Sequence, residues 1–173
     1  MKKTLSKLTL LLIAILITGA SGVWASAREI KRDGRFIAYD NGTVKDTKTG
    51  LMWAAKDNGE EINWKDAKRY CENYRGGGYT DWRMPTQEEL AGLYDKSESY
   101  RVGFLKNVNL TKLIELSTCC PWASQTRNSN AAGKNMNLGS SDAAYFSFST
   151  GYRRWDPTGV YYYHRALPVR SGK

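Results

Sequence analysis

One imidazole and three thiols are the only His and Cys side chains this chain has for metal or nucleophile chemistry. A single His excludes a multi-His metal site. Three cysteines fall one short of a four-cysteine zinc site, and a site of two cysteines and two histidines lacks its second His. A Cys–His nucleophile pair is what remains. His164, however, lies among Tyr161, Tyr162, Tyr163 and Arg165 in strand-like sequence, where a packed imidazole is the commoner outcome. Glu60-Glu61 and Glu88-Glu89 have the residue type of glycosidase acids. Adjacent acids on a helix diverge in direction, and Glu89 already has a capping position. There is no Gly-x-Ser-x-Gly elbow and no phosphate-binding glycine loop. The sequence therefore predicts a non-enzymatic protein with no catalytic residue, no metal site and no cofactor. Asp and Asn scattered through loops leave room only for a loop Ca2+, without EF-hand spacing.

The remaining chemistry is binding. Lys and Arg number 26 against 17 Asp and Glu, a formal charge of +9. Arg127 and Lys134 flank an Asn-rich stretch, and Arg153-Arg154-Trp155 sits at a turn edge. Spaced cations suit the sulfates or carboxylates of a polyanionic glycan, and Trp155 could stack on a sugar ring's apolar face. These five residues are the predicted binding set. An envelope protein is the alternative partner, since 11 Tyr and 6 Trp favour interfaces of either kind. No basic helix stands out, which argues against nucleic acid.

Part of the charge belongs to an address. Lys2, Lys3 and Lys7 precede an apolar run from Leu8 to Ile17, and Ala25-Ser26-Ala27 offers a small-x-small cleavage site. This is the layout of a secretory signal peptide over residues 1–27, too short in its apolar core for a stable membrane span. Its removal lowers the formal charge of +9 by three. Export to the periplasm, the cell surface or the medium follows as an expectation, with an oxidising compartment.

The elements that must position the binding set can be traced along the rest. Residues 28–35 read as a flexible basic lead-in. Phe36 to Tyr39 and Thr43 to Asp46 read as a hairpin about Asn41-Gly42, and Leu51 to Ala54 as a further strand. Asn63 predicts an N-cap, followed by Trp64, Ala67, Cys71 and Tyr74 on one helical face. Gly76-Gly77-Gly78 ends that helix. Thr86-x-x-Glu89 predicts a capping box for a second helix. A weaker helix is expected from Asn109 to Leu116. Thr126 to Ser141 reads as a long loop. Ala144 to Phe148, Tyr152 to Trp155 and Val160 to Val169 read as a closing meander. The order predicts one α+β domain.

Adjacent Cα atoms lie below the usual disulfide window. Cys71 is therefore expected to bridge to one of the neighbouring pair, Cys120 in preference to Cys119. Such a bridge would stabilise by roughly 4 kcal/mol in the chain-entropy model.

The segment Gly42-Thr43-Val44-x-Asp46-x-x-Thr49-Gly50-Leu51-Met52-Trp53 resembles the opening of the Lcl C-terminal domain family. That family is named for a bacterial collagen-like adhesin and was long catalogued as a domain of unknown function. Trp64-x-x-Ala67 with Cys71, then Gly77-Gly78-Tyr79-Thr80-Asp81-Trp82-Arg83-Met84-Pro85-Thr86 with Glu89-Leu90, continue the resemblance. Trp122-Ala123-Ser124 and the closing Arg165-x-x-Pro168-Val169-Arg170 complete it, from about Phe36 to Arg170.

The resemblance implies a C-type-lectin-like fold, with two main helices on small antiparallel sheets, close termini and a long loop region. It implies a surface or envelope protein; in the namesake adhesin the domain is associated with sulfated glycosaminoglycans and trimer formation. The wider fold class includes copper-dependent cysteine oxidases, but only the adjacent Cys pair points that way. Three departures matter. Ala166-Leu167-Pro168 lacks the Cys that family members often carry there. No collagen-like Gly-x-y stretch supplies a trimerising stalk. The Glu-Pro-Asn and Gln-Pro-Asp triplets of calcium-dependent lectins are absent.

The central motif reads as structural. Trp82 is a core anchor, Arg83 has Asp81 and Glu89 as nearby carboxylates, Pro85 fixes the approach to the helix and Thr86 caps it.

Overall fold

The computed structural model describes residues 26–103, 106–128 and 141–172. Strand β1 (Glu29–Asp33) turns into β2 (Phe36–Tyr39), and Asn41-Gly42 closes a hairpin onto β3 (Thr43–Asp46). Gly42 takes φ +78°, the left-handed conformation in which a Cβ is strained. Strand β4 (Leu51–Ala54) follows. Helix α1 (Trp64–Asn73) starts where Asn63 accepts from the Asp66 amide, and α2 (Gln87–Gly92) starts at Thr86. Then come β5 (Tyr100–Val102), β6 (Lys106–Val108), β7 (Cys120–Asn128), β8 (Ser141–Ser147), β9 (Tyr152–Pro157), β10 (His164–Arg165) and β11 (Val169–Ser171).

Two sheets carry the domain. One is antiparallel and five-stranded, in the order β1-β2-β3-β4-β11; the other is four-stranded, β10-β7-β8-β9, with β10 parallel to β7. Strands β5 and β6 form a separate ribbon. Alternation along the strands sorts the side chains into layers. Phe36, Ala38, Val44, Trp53 and Val169 of the first sheet join Ala144 and Phe146 of the second in the main core, with Leu90 of α2 and Leu93 just after it. The opposite face of the second sheet puts Trp122, Ala143 and Tyr145 against Ala67 and Cys71 of α1. The second sheet is thus covered on one face by the core and α2, and on the other by α1. The first sheet's outer face is capped where Met52 and Ala54 meet Trp82.

This architecture corrects the α+β expectation of two main helices on small sheets. The described residues are mostly β, and the two α-helices among them have ten and six residues. Four segments depart from the expectation. Residues 28–35 are not a free lead-in but hold β1, a charged edge strand with a bulge between Glu29 and Lys31; charges and bulges are how edge strands avoid further pairing. Asn109 to Leu116 is not helical. Its amides bond across the fold, Asn109 to Phe148 O and Glu115 to Ala55 O, while the Tyr100 hydroxyl bridges Ile114 O and Leu116 N. Val160 to Val169 is not a continuous strand; it holds only the short β10 and the start of β11. Thr126 to Asn128 belongs to β7 rather than to a loop. The N- and C-terminal strands sit at opposite edges of one sheet, not side by side.

The cysteine expectation is also corrected. Cys119 and Cys120 bridge to each other, and Cys71 is a buried free thiol. Cys71 packs on the α1 side of the second sheet, whereas Cys119 and Cys120 belong to the main core. Burial pushes the Cys71 thiol up to about 12.

Candidate functional site

Of the predicted binding residues, Arg127, Arg153 and Trp155 come together on one face of the second sheet. The β8–β9 register places Ala144 opposite Trp155 and Phe146 opposite Arg153, so Trp155 and Arg153 share the core-side face. Arg127 on β7 pairs with Asp142 of the same face. Its guanidinium lies over the Trp155 ring, 4.6 Å from the centroid, across the small Ala144. Arg127, Trp155 and Arg153 therefore form one row. Arg154 points to the opposite face, where its guanidinium lies 5.6 Å from the Tyr152 ring. Lys134 lies outside the described residues, as do residues 1–25 of the expected signal segment.

Two carboxylates attend the row. Asp142 Oδ2 accepts from Arg127 Nε and Nη2, both at 3.3 Å. Glu88 Oε1 lies 3.6 Å from Arg153 Nη1. Glu88 comes from the first turn of α2, and the residue before it, Gln87, is a buried polar side chain. The Gln87 Nε2 donates to Tyr145 O at 2.8 Å and Arg154 O at 2.9 Å. Gln125 closes the group: its Oε1 accepts from the Gln87 amide and its Nε2 donates to Glu88 Oε2. Gln87, Glu88, Gln125 and Asp142 do not stand out as a site in the sequence. Their contacts span tens of residues, and no local spacing announces them.

The central motif builds the platform under α2. Arg83 donates to both Glu89 oxygens, at 2.8 and 2.6 Å. Glu89 also accepts from the Thr86 amide while Thr86 Oγ1 accepts from the Glu89 amide, the reciprocal capping box. Burial raises the Glu89 carboxyl, but the bonds from Arg83 and Thr86 outweigh it and hold the group below its ordinary value. Pro85 O takes the Ser124 amide at 2.8 Å. That contact falls inside the β7 bulge, where four residue steps from Trp122 to Thr126 face two steps of β8. Trp82 is buried and donates Nε1 to Gly76 O. Asp81 does not serve Arg83. It pairs with Arg170 at 2.6 and 3.1 Å, and Arg170 in turn lies 3.9 Å from the Tyr79 ring centroid. Arg170's hydrogen bond holds the Asp81 carboxyl below its usual range.

His164 is a packed imidazole. It stacks on Trp122 with centroids 3.8 Å apart, meets Tyr145 edge-on, and lies between Cys120 O at 3.2 Å and Asp156 Oδ2 at 3.0 Å. Burial pushes its pKa below the ordinary 6.5, against the pull of Cys120 O and Asp156. Among the described residues no group of three His, Cys, Asp or Glu side chains is placed to hold a metal ion. No helix among them is long and apolar enough to cross a membrane.

A second feature has no signal as a site in the sequence. Tyr152, Tyr161, Tyr162 and Tyr163 are exposed large side chains, and the Tyr161 and Tyr162 rings meet at a tilt of 33° with centroids 4.3 Å apart. Tyr163 has φ +63°, the one left-handed non-glycine among the described residues. A groove of about 520 Å³ along α1, lined by Glu61, Asp66, Arg69, Tyr70 and Tyr74, contains none of the predicted residues.

Residues 42–170 match the family model described as the Lcl C-terminal domain, which covers the central motif, the β7–β9 row and the closing strand. No curated protein matches the chain.

Proposed function

The chain belongs to the Lcl C-terminal domain family, and we propose that it is an exported, non-enzymatic binding module, adhesin-like in use, for an anionic glycan or surface polymer. One observation carries the ligand class: the row Arg127–Trp155–Arg153 on one face of the second sheet, with the Arg127 guanidinium over the indole and Arg153 two residues along the same strand face. A sulfate or carboxylate of a glycan would meet an Arg fork, and the indole beneath Arg127 holds that guanidinium in place. The row is held by a rigid sheet and by α2, so little ordering is required on binding.

Immobilised heparin, a sulfated glycan, tests this reading. Replacing Arg127 and Arg153 by Ala should lower the salt needed for elution more than replacing Arg154 alone. Elution of the unaltered protein at the salt set by net charge alone contradicts the reading.

The four exposed tyrosines favour a second reading, a protein-interaction module of the cell envelope. Their rings lie on and after β9, and Tyr is enriched at protein interfaces.

A further inference from the structure

The Arg127–Trp155–Arg153 row carries its own anions, and the two differ in how firmly they are held. Asp142 sits on β8 with its side chain 15% exposed, and its Oδ2 steadies Arg127 over Trp155. Glu88 projects from the first turn of α2 with its side chain 60% exposed, and Arg153 opposite it is 53% exposed. An ion pair this open, at 3.6 Å, is weak and screened by salt. Gln125 Nε2, at 2.7 Å from the other Glu88 oxygen, keeps the carboxylate close to Arg153 rather than free in solvent.

We propose that Glu88 is an internal competitor for the ligand: in the free protein its carboxylate occupies Arg153, and a bound anion must take its place. An isolated ligand carboxylate would only exchange one carboxylate for another and lose translational freedom in doing so. A polymer with several closely spaced anions displaces Glu88 while its other charges hold elsewhere on the row. Glu88 thus makes the face selective for densely charged polyanions. This inference rests on the anionic-ligand reading of the row.

The test compares Glu88→Gln with Glu115→Gln on immobilised heparin and on immobilised polygalacturonate, a carboxylate-only polymer. Glu115 pairs with Lys56 at 2.9 Å, outside the second sheet, so its variant also removes one acid and releases one cation. Glu88→Gln should bind heparin roughly two- to fivefold more tightly than Glu115→Gln, the size expected for releasing an exposed pair, with a larger gain on polygalacturonate. Adding Arg153→Ala should abolish the difference. Equal retention of the two glutamine variants, a gain that survives Arg153→Ala, or an equal gain on both polymers overturns the inference. If the unaltered protein is retained on heparin beyond its net charge, such a result removes only the competitor role of Glu88. If it is not retained, the anionic reading falls and takes this inference with it.

Discussion

The side-chain amide of Gln87 lies 2.9 Å from the main-chain carbonyl of Arg154, 67 residues away in the chain. Through this contact the start of α2 is fastened to β9, the strand that carries Arg153 and Trp155. The same nitrogen reaches Tyr145 O on β8. One buried amide thus ties the capped helix to the candidate binding strand.

Replacing Gln87 should loosen that tie. Gln87→Ala is expected to cost ~1–2 kcal/mol in urea denaturation, the usual range for buried hydrogen bonds left unmade. Gln87→Glu should cost more, because a carboxylate would face two carbonyl oxygens. Equal stability of all three proteins would show that the amide is not a fastening.

The capping box can be read separately. Thr86→Ala should lose ~1 kcal/mol, and Thr86→Ser should keep most of it, since a hydroxyl still accepts from the Glu89 amide. Thermal melts of the two variants decide it; indistinguishable losses would place the effect in the Thr86 methyl group rather than in the cap.

These local devices are legible in the sequence because their partners are three residues apart or fewer. Asn63 with Asp66, Thr86 with Glu89, and the Asn41-Gly42 turn need only backbone geometry to be recognised. Arg83 and Glu89 are legible for a similar reason, six residues apart. Proximity alone assigns Asp81 to Arg83, but Arg170, 89 residues on, reaches it when β11 completes the first sheet. Strand β1 is hidden because Glu29, Lys31 and Arg32 look solvated, and they are: an edge strand can be charged along its length. Leu110, Leu113 and Ile114 have helical spacing, yet an irregular segment buried in the core satisfies the same spacing. Within the predicted binding set, residue type treats Arg127, Arg153, Arg154 and Trp155 alike; that Arg154 faces away from the others follows from β8–β9 register, which composition does not reveal.

His164 gives the fold a pH dependence with a definite sign. Its folded pKa lies below the ordinary 6.5, chiefly through burial, with Asp156, Cys120 O, Tyr145 and Arg165 around it. Between the two values the unfolded chain binds more protons than the folded one. Stability should therefore be full above about 6.5, fall as pH drops through 6.5, and level off once the folded imidazole is also charged. Melting temperatures between pH 7 and pH 5 should decline in the unaltered protein and less in His164→Gln. Parallel declines would assign the effect to other groups.

The thiols answer to a direct count. With Cys119 and Cys120 bridged and Cys71 buried, the native protein should show no reactive thiol at pH 8 and one after denaturation. Reduction before denaturation should raise that to three. Three thiols without reductant would contradict the bridge.

The central claim is that Arg127, Trp155 and Arg153 form a specific anion-binding row rather than part of a diffusely basic surface. The most direct measurement compares two charge-matched double variants on immobilised heparin in a salt gradient. One removes Arg127 and Arg153; the other removes Lys65 and Lys112, exposed cations elsewhere on the molecule. The account predicts a clear fall in elution salt for the arginine variant, a small one for the lysine variant, and unchanged melting temperatures for both. Equal falls, or none in either, would contradict it.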